Sequence, residues 1–346
     1  MKAGTIEEEK KVNKYSRIMA LVFAFVFVVA AAGCGGSSTS DKKPSLLIGM
    51  VNPLSGDAAT YGVSHKNGLE LAREEINKAG GVKGQQIDIQ FHDDAGDPKQ
   101  AAAGAQQFVD QKNMLAIVGS CLSSNTLAMV PITDKAKIPH SVVSSSSGKL
   151  SGMSQYFFRM AVQDGQVGIL MGDLVGQKLK AKRTAILYPN NDYGKGLGAA
   201  IEAQAKTHGV TITSNQAYLA TDKDFSAPLA AIKSQNVDSI AVAGTYTDGA
   251  LIIKQAREMG ITVPIVGGTG FYSPKLVEIA GKASEGAIFL GAFVASNPDP
   301  AVQSFVKKYK EKYNMEPDTF AALAYDQMFV LAKAMEKAAD KGGITR

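Results

Sequence analysis

Ala116-Ile-Val-Gly-Ser-Cys-Leu-Ser-Ser-Asn-Thr126 joins three kinds of sequence in one short stretch. An apolar run ends in Gly119, small polar residues follow, and an apolar-periodic segment opens at Leu127. That order reads as strand, tight loop and helix start. Ser123, Ser124, Asn125 and Thr126 are all N-cap residue types. A helix N-terminus leaves backbone N–H groups free and carries a partial positive charge. With hydroxyls added, it is also a seat for a small anion such as a carboxylate. Taken alone, the stretch admits both a helix cap and an anion seat.

The same strand-to-helix unit recurs on both sides of it. Leu46–Val51 reads as a first strand, Tyr61–Ala79 as a helix, Ile87–Phe91 as a strand, and Asp97–Lys112 as a helix with Pro98 in its first turn. Leu115–Val118, Leu127–Ala136 and Ile138–Val143 give strand, helix, strand. Phe157–Asp164 interrupts the rhythm, and a second series follows. It runs through strands Arg183–Tyr188, Val210–Tyr218, Ser239–Ala243 and Pro264–Val266, with helices Tyr193–His208, Phe225–Gln235 and Thr247–Gly260 between them. Gly286–Phe293 reads as one more strand, and Pro300–Tyr313 and Asp318–Ala339 as amphipathic helices. Alternating units of this kind predict an α/β protein with two Rossmann-like lobes, each an open parallel sheet covered by helices.

Composition is ordinarily globular: 346 residues, 45% hydrophobic and 20% charged, enough for two domains. The net charge is +5, and residues 1–33 hold five basic and three acidic side chains, so the remainder carries only +3. No basic run interleaved with aromatics follows, and a nucleic-acid partner is not expected. Lys10, Lys11, Lys14 and Arg17 precede the apolar run Met19–Ala32, which is shorter than a membrane span. The pattern predicts a signal peptide over residues 1–33. Ala31-Ala-Gly-Cys34 resembles a bacterial lipoprotein box, with Ala31 where Leu is usual, so Cys34 is the expected lipidation site. Gly- and Ser-rich residues 34–45 read as a flexible tether. Cys121, the other of two cysteines, has no His nearby in sequence that reads as its base, and is expected to be a small buried residue.

In open α/β sheets, ligands bind beyond the carboxyl ends of the strands. The loops following Val51, Val118, Val143, Tyr188, Ala243 and Val266 are rich in small polar and aromatic residues and poor in Lys, Arg and His. That suits a small polar or zwitterionic ligand held by hydroxyls and backbone groups. There is no phosphate loop, dinucleotide fingerprint or nucleophile elbow. Gly194-Lys-Gly-Leu-Gly198 falls in a helix start, and the four histidines show no metal spacing. No catalytic set, cofactor or metal is expected.

Seven stretches together resemble one family. They are Gly49-x-x-x-Pro-Leu-Ser-Gly-Asp-Ala-Ala-x-Tyr-Gly62, Ile76-Asn-Lys-Ala-Gly-Gly-Val-Lys-Gly84, Asp93-Asp-Ala-Gly-Asp-Pro-Lys-Gln100, Phe158-Arg159, Asn191-Asp-Tyr-Gly-Lys-Gly196, Asp224-Phe-Ser226 and Gln255-Ala-Arg-Glu-Met-Gly260. From Leu46 to the last residue the chain resembles the leucine/isoleucine/valine-type substrate-binding proteins of ABC transporters. The resemblance implies a type I periplasmic-binding-protein fold, two lobes on a hinge that close over a ligand. Lobe 1 is expected over residues 46–162, with 291–346 returning to it, and lobe 2 over 163–290. The crossings are expected near Phe158–Asp164 and Phe289–Phe293. By that family's standard the sequence ends tens of residues early, and a third crossing and a final strand pair would follow Arg346.

The resemblance also implies site residues. Tyr61 is similar to an aromatic wall of the family's pocket, Ser123 to the serine that takes the ligand carboxylate, and Ser146 to the threonine that shares it. Ser144 stands where a backbone carbonyl receives the ligand amine, and Tyr193 where a second-lobe tyrosine closes over the ligand. Thr245 replaces another tyrosine. Thr269 replaces the acid that pairs with the amine, so either Asp164 or Asp248 serves instead or the ligand lacks an amine. Asp248 reads equally as a helix cap. Tyr246 and Phe271 are candidates to fill the space left at Thr245, and Gly96 stands where some relatives have a disulfide partner for Cys121. The expected function is capture of an amino acid or related small carboxylate outside the cytoplasm of a bacterium, for delivery to ABC permease subunits, from a lipid anchor on the membrane. The alternative is a ligand-sensing module of the same fold for an amide, urea or aromatic acid.

Overall fold

Strand β1 (Leu46–Asn52, LLIGMVN) is buried at all seven positions, as a strand covered by helices on both faces must be. In the computed structural model, which describes residues 44–345, it is hydrogen-bonded in parallel to β2 (Ile87–Asp93) on one side and β3 (Met114–Gly119) on the other. The register with β2 runs from Leu46 opposite Ile87 to Asn52 opposite Asp93. β4 (His140–Val142) and β5 (Phe157–Arg159) complete a five-stranded sheet in the order β2-β1-β3-β4-β5. The expected signal peptide, Cys34 and the tether up to residue 43 lie outside the described residues.

A second five-stranded sheet repeats the order. It is built from β6 (Arg183–Pro189), β7 (Thr211–Tyr218), β8 (Ser239–Val242), β9 (Ile265–Gly267) and β10 (Ile288–Phe289), arranged β10-β9-β8-β6-β7. In both sheets the first strand lies between the second and third. The direction of winding therefore reverses at the carboxyl ends of β1 and β3, and of β6 and β8, which is where a crevice opens. The strand expected over Gly286–Phe293 pairs only at Ile288 and Phe289, with Gly286 turning at φ +77 just before it. The interruption expected at Phe157–Asp164 instead contributes β5, the edge of the first sheet.

The helices follow local rules. α1 (Ala59–Lys78) and α2 (Pro98–Val109) follow β1 and β2. Asp97 caps α2 by accepting from Lys99 N and Gln100 N, and Pro98 takes the first position, where no N–H is needed. α3 (Ser123–Lys135) follows β3. α4 (Asp164–Asp173) runs on into a π-helical turn, Leu174–Lys178. α5 (Asp192–Thr207) is capped by Asn191, whose side chain accepts from Gly194 N at 2.9 Å. α6 (Ser226–Ser234), α7 (Tyr246–Glu258) and α8 (Pro274–Ala280) cover the second sheet. α9 (Pro300–Tyr313) and α10 (Thr319–Asp340) end the described chain.

α10 packs along α1, so the last helix lies against the first sheet's own first helix. Gly68 permits the approach, because a β-carbon there would stand 2.1 Å from the Ala321 carbonyl oxygen. Leu46, Ile48 and Met50 of β1, Leu69 and Ala72 of α1, and Ala324 and Met328 of α10 form one continuous core. Each such large apolar side chain contributes about 1.5–3 kcal/mol on burial. Among the described residues no helix is long and apolar enough to cross a membrane.

Candidate ligand-binding site

Gly119 ends β3 at φ +94, in contact with β1: a β-carbon there would lie 2.0 Å from the Val51 carbonyl oxygen. Only glycine fits. The chain then turns through Ser120 and Cys121 and enters α3 at Ser123, four residues before the expected Leu127. The N-cap is Leu122, with no side-chain hydrogen bond to the first turn. The cap reading of Ser123, Ser124, Asn125 and Thr126 is thus corrected: these residues lie inside the helix, not at its N-cap. Thr126 N bonds Leu122 O at 3.0 Å, so the N–H groups before it are the ones left for an outside acceptor.

Buried side chains fix this loop from below. Asn52 Oδ1 accepts from Cys121 N at 2.6 Å, and Asn52 Nδ2 donates to His65 Nδ1 at 2.7 Å. That leaves His65 Nε2–H to donate to Gln327 Oε1 at 2.8 Å, and Gln327 Nε2 to donate to Ser141 Oγ at 2.9 Å. The tautomer follows from these partners. Burial lowers the His65 imidazole to about 4, so it is neutral near pH 7. His140 Nε2–H donates to the Gly119 carbonyl, and burial lowers that ring to about 4 as well.

Beyond the loop is a cavity of about 300 Å³. The first sheet supplies Tyr61, Gly96, Pro98, Cys121, Leu122, Ser123, Ser124, Asn125, Ser144 and Ser146 to its wall, and the start of α10 supplies Phe320. The second sheet supplies Asn191, Tyr193, Ala220, Thr245, Thr269 and Gly270. Seven of the residues expected at the site therefore meet on one wall: Tyr61, Ser123, Ser144, Ser146, Tyr193, Thr245 and Thr269. Asp164 does not line it. Phe320 and Ala220 were not expected. Ala220 follows the carboxyl end of β7, a loop the strand-end rule does point to. Phe320 is brought in by the packing of α10 on α1 and carries no local signal. Tyr246 and Phe271, expected to fill the space at Thr245, are packed behind the wall instead, in a core shared with Leu187, Val242 and Ile253.

The wall carries no Asp, Glu, Lys, Arg or His. A carboxylate placed here meets only hydroxyls, amides and the start of α3. Ser123 Oγ accepts from Ser147 N at 3.2 Å, which leaves its own proton to donate. Ser144 Oγ donates to Cys121 O at 3.0 Å, and Ser124 Oγ donates to Asp192 Oδ2 at 2.8 Å. Asp248 is removed as a partner for a ligand amine. It closes a capping box on α7, accepting from Thr245 N at 2.7 Å and Thr245 Oγ1 at 2.5 Å, and the Tyr218 hydroxyl donates to its other oxygen.

Cys121 does have a histidine beside it, which corrects the expectation from sequence: its Sγ is 3.8 Å from His65 Nδ1. Burial pushes the thiol well up and the imidazole down. Both are neutral, the opposite of a reactive thiolate–imidazolium pair.

The loops of the two sheets also touch directly. The Tyr61 hydroxyl donates to Gly270 O and accepts from Tyr246 N at 3.0 Å. Tyr246 Oη and Thr247 Oγ1 donate to Asp57 O at 2.8 and 3.0 Å, and Lys223 pairs with Asp57 at 2.7 Å. Lys149 pairs with Asp192 at 2.7 Å.

Two like-wound parallel sheets, closing their switch-point loops over one cavity of uncharged lining, define a solute-binding protein of the two-sheet type. The chain belongs to the periplasmic binding protein family, whose model matches residues 45–346. That membership puts it on the extracytoplasmic side of the membrane. It is 30% identical over 312 residues to a Leu/Ile/Val-binding protein homolog of Brucella melitensis, covering 90% of this chain and 83% of that protein. It is 32% identical over 307 residues to the Leu/Ile/Val-binding protein BraC3 of Rhizobium johnstonii, covering 85% and 79%. Among solved structures it is similar to the branched-chain amino acid transporter substrate-binding protein LivJ of Streptococcus pneumoniae in complex with isoleucine. The TM-score is 0.81 at 34% identity, over 87% of this chain and 86% of that one.

Proposed function

We propose that this protein captures an amino acid or related small carboxylate between two lobes and delivers it to an ABC permease. The lobes are residues 46–162 with 291–346, and 163–290, hinged near Phe158–Asp164 and Phe289–Phe293. Cys34 carries the lipid that tethers the protein to the membrane. The observation that carries the reading is the start of α3. Its first turn has no side-chain cap, it borders the cavity, and the Ser123 hydroxyl beside it has a proton to give. A helix N-terminus with free N–H groups and a hydroxyl binds a carboxylate without a formal cation. Ser146 lines the same wall and shares that carboxylate. Tyr193, Thr245 and Thr269 come from the other sheet and cover the rest of the ligand. The named amino-acid specificity of the relatives supports the ligand class.

A thermal-shift screen of amino acids, amides and aromatic acids tests the reading. A ligand at about 100 times its Kd stabilises the folded form by about 2.7 kcal/mol, and the melting point rises accordingly. A screen in which no carboxylate raises it removes the assignment. The anchor is tested separately: Cys34→Ala should move the protein from the membrane to the soluble fraction, and membrane retention counts against it.

A further inference from the structure

Phe320 reaches the cavity from the start of α10, yet the chain that delivers it is poorly covered. Asn314, Met315 and Glu316 are exposed, and burial resumes only at Pro317. Asp318 is then 4% exposed and caps α10, with Oδ1 accepting from Ala321 N at 2.9 Å. Its other oxygen, Oδ2, accepts from Ser64 Oγ on α1 at 2.7 Å.

Both partners of that bond sit next to the cavity wall. Ser64 follows Tyr61 by three residues, on the same buried face of α1. Phe320 follows Asp318 by two, and its backbone N–H acts on the Asp318 carboxyl. The rings of Tyr61 and Phe320 meet at 4.6 Å, and both residues line the cavity. A polar bridge between α1 and α10 therefore stands directly behind two aromatic wall residues.

An apolar contact at this place would join the helices without desolvating a charge, but it would tolerate sliding. A buried carboxylate with directed donors fixes one register, at a cost in stability. That cost shows in the acid itself. Burial pushes Asp318 up to about 6, with the Ala321 N–H, Ser64 and the Phe320 N–H holding it back.

We infer that Asp318 and Ser64 are positioning residues for Phe320, and that the bond between them sets how much room the cavity leaves for the apolar end of a ligand. This rests on the reading of the cavity as the ligand site.

Asp318→Asn separates the charge from the bridge. Its amide oxygen accepts from Ala321 N, and its amide nitrogen donates to Ser64 Oγ, so both hydrogen bonds survive. The folded state holds the Asp318 proton more tightly than the unfolded chain. Stability tied to this group is therefore full below about pH 4 and is lost as pH rises through about 6. Cys121, Tyr272 and Tyr309 are the titratable groups that face the acid. All three are raised by burial, and none changes charge between pH 4 and 7. The Asn variant should melt higher than wild type at pH 7.5, with the gain gone at pH 4.

The test is calorimetric titration of the full chain with L-alanine, L-valine, L-leucine and L-phenylalanine, read as ratios of affinity across side-chain size. Phe320→Ala is the reference and should move a ratio about tenfold toward the larger ligand, the scale for a change in pocket volume. Asp318→Ala and Ser64→Ala should move it the same way by about fivefold, and Asp318→Asn should keep it within about twofold of wild type. Where the wild type binds only one of the four, gain of a larger ligand replaces the ratio. Alanine variants that melt lower with ratios unchanged make the bridge structural only, which overturns the inference. An Asn variant that moves the ratio as far as Asp318→Ala also overturns it. If Asp318→Ala does not fold, Ser64→Ala and Asp318→Asn decide. A shift in Phe320→Ala alone overturns the positioning role and leaves the cavity reading standing. Ratios unmoved by Phe320→Ala, or binding of none of the four by the wild type, remove both.

Discussion

Neighbouring serines at the start of α3 have different work because their partners differ. Ser123 Oγ accepts from Ser147 N and keeps its proton, whereas Ser124 gives its proton to Asp192. Ser123→Ala should weaken a carboxylate ligand by about 1.5–3 kcal/mol, the scale for a hydrogen bond to a charged group. Calorimetry should show that loss with little change in the ligand-free melting point, because the variant strands only the long Ser147 N–H bond. Equal affinity in the variant would remove Ser123 from the site. Cys121 shows the limit of residue-by-residue reading. Its histidine neighbour is 56 positions away in sequence and meets it only because α1 packs beside the β3 loop. Once met, the pair is silenced by burial.

Elements decide which acid is structural. α7 begins with Thr245 as N-cap and Asp248 as the third residue of the helix, each reaching back to the other's backbone. Replacing Asp248 by Ala should cost about 1 kcal/mol for the cap and about 1–3 kcal/mol for the stranded Tyr218 hydroxyl. The melting point should fall, while the variant that remains folded keeps its preference among ligands. A changed ligand preference would return Asp248 to the cavity wall. The parallel βα units were legible from sequence because strands buried on both faces read as unbroken apolar runs, as in Leu46–Val51, and because Asp97-Pro98 is a strong helix start. β10 was overread: Gly286–Phe293 is apolar over eight residues, but only Ile288 and Phe289 find a partner strand. The loops that build the site were legible from strand ends. Phe320 was not, because nothing within α10 marks the residue that reaches the cavity. That Asp248 serves as a helix cap was not legible either, since it depends on which donors reach its carboxylate.

At the scale of the whole molecule, the loops of the two sheets are joined by few groups, and Tyr61 is the most central. Its ring stacks edge-on against Tyr246 at 4.8 Å and lies against Phe320 at 4.6 Å, while its hydroxyl bonds both Gly270 O and Tyr246 N. The ring contributes to the core, and the hydroxyl contributes only across the cleft. Tyr61→Phe separates the two: it keeps the ring and removes two of the bonds that join the loops. A protein that opens and closes binds in the open state and holds its ligand in the closed one. Losing about 1.4 kcal/mol of closed-state stabilisation shifts that equilibrium about tenfold. Stopped-flow measurements should then show ligand dissociation about ten times faster, with the association rate nearly unchanged if, as proposed, first contact is made at the α3 end of an open cleft. The surface pairs Lys223–Asp57 and Lys149–Asp192 should matter less, since exposed ion pairs contribute about 0–1 kcal/mol and weaken with salt. A Tyr61→Phe variant whose dissociation rate matches the wild type would mean that the cleft is held by its apolar contacts, and that the hydroxyl only satisfies groups that water would serve equally well.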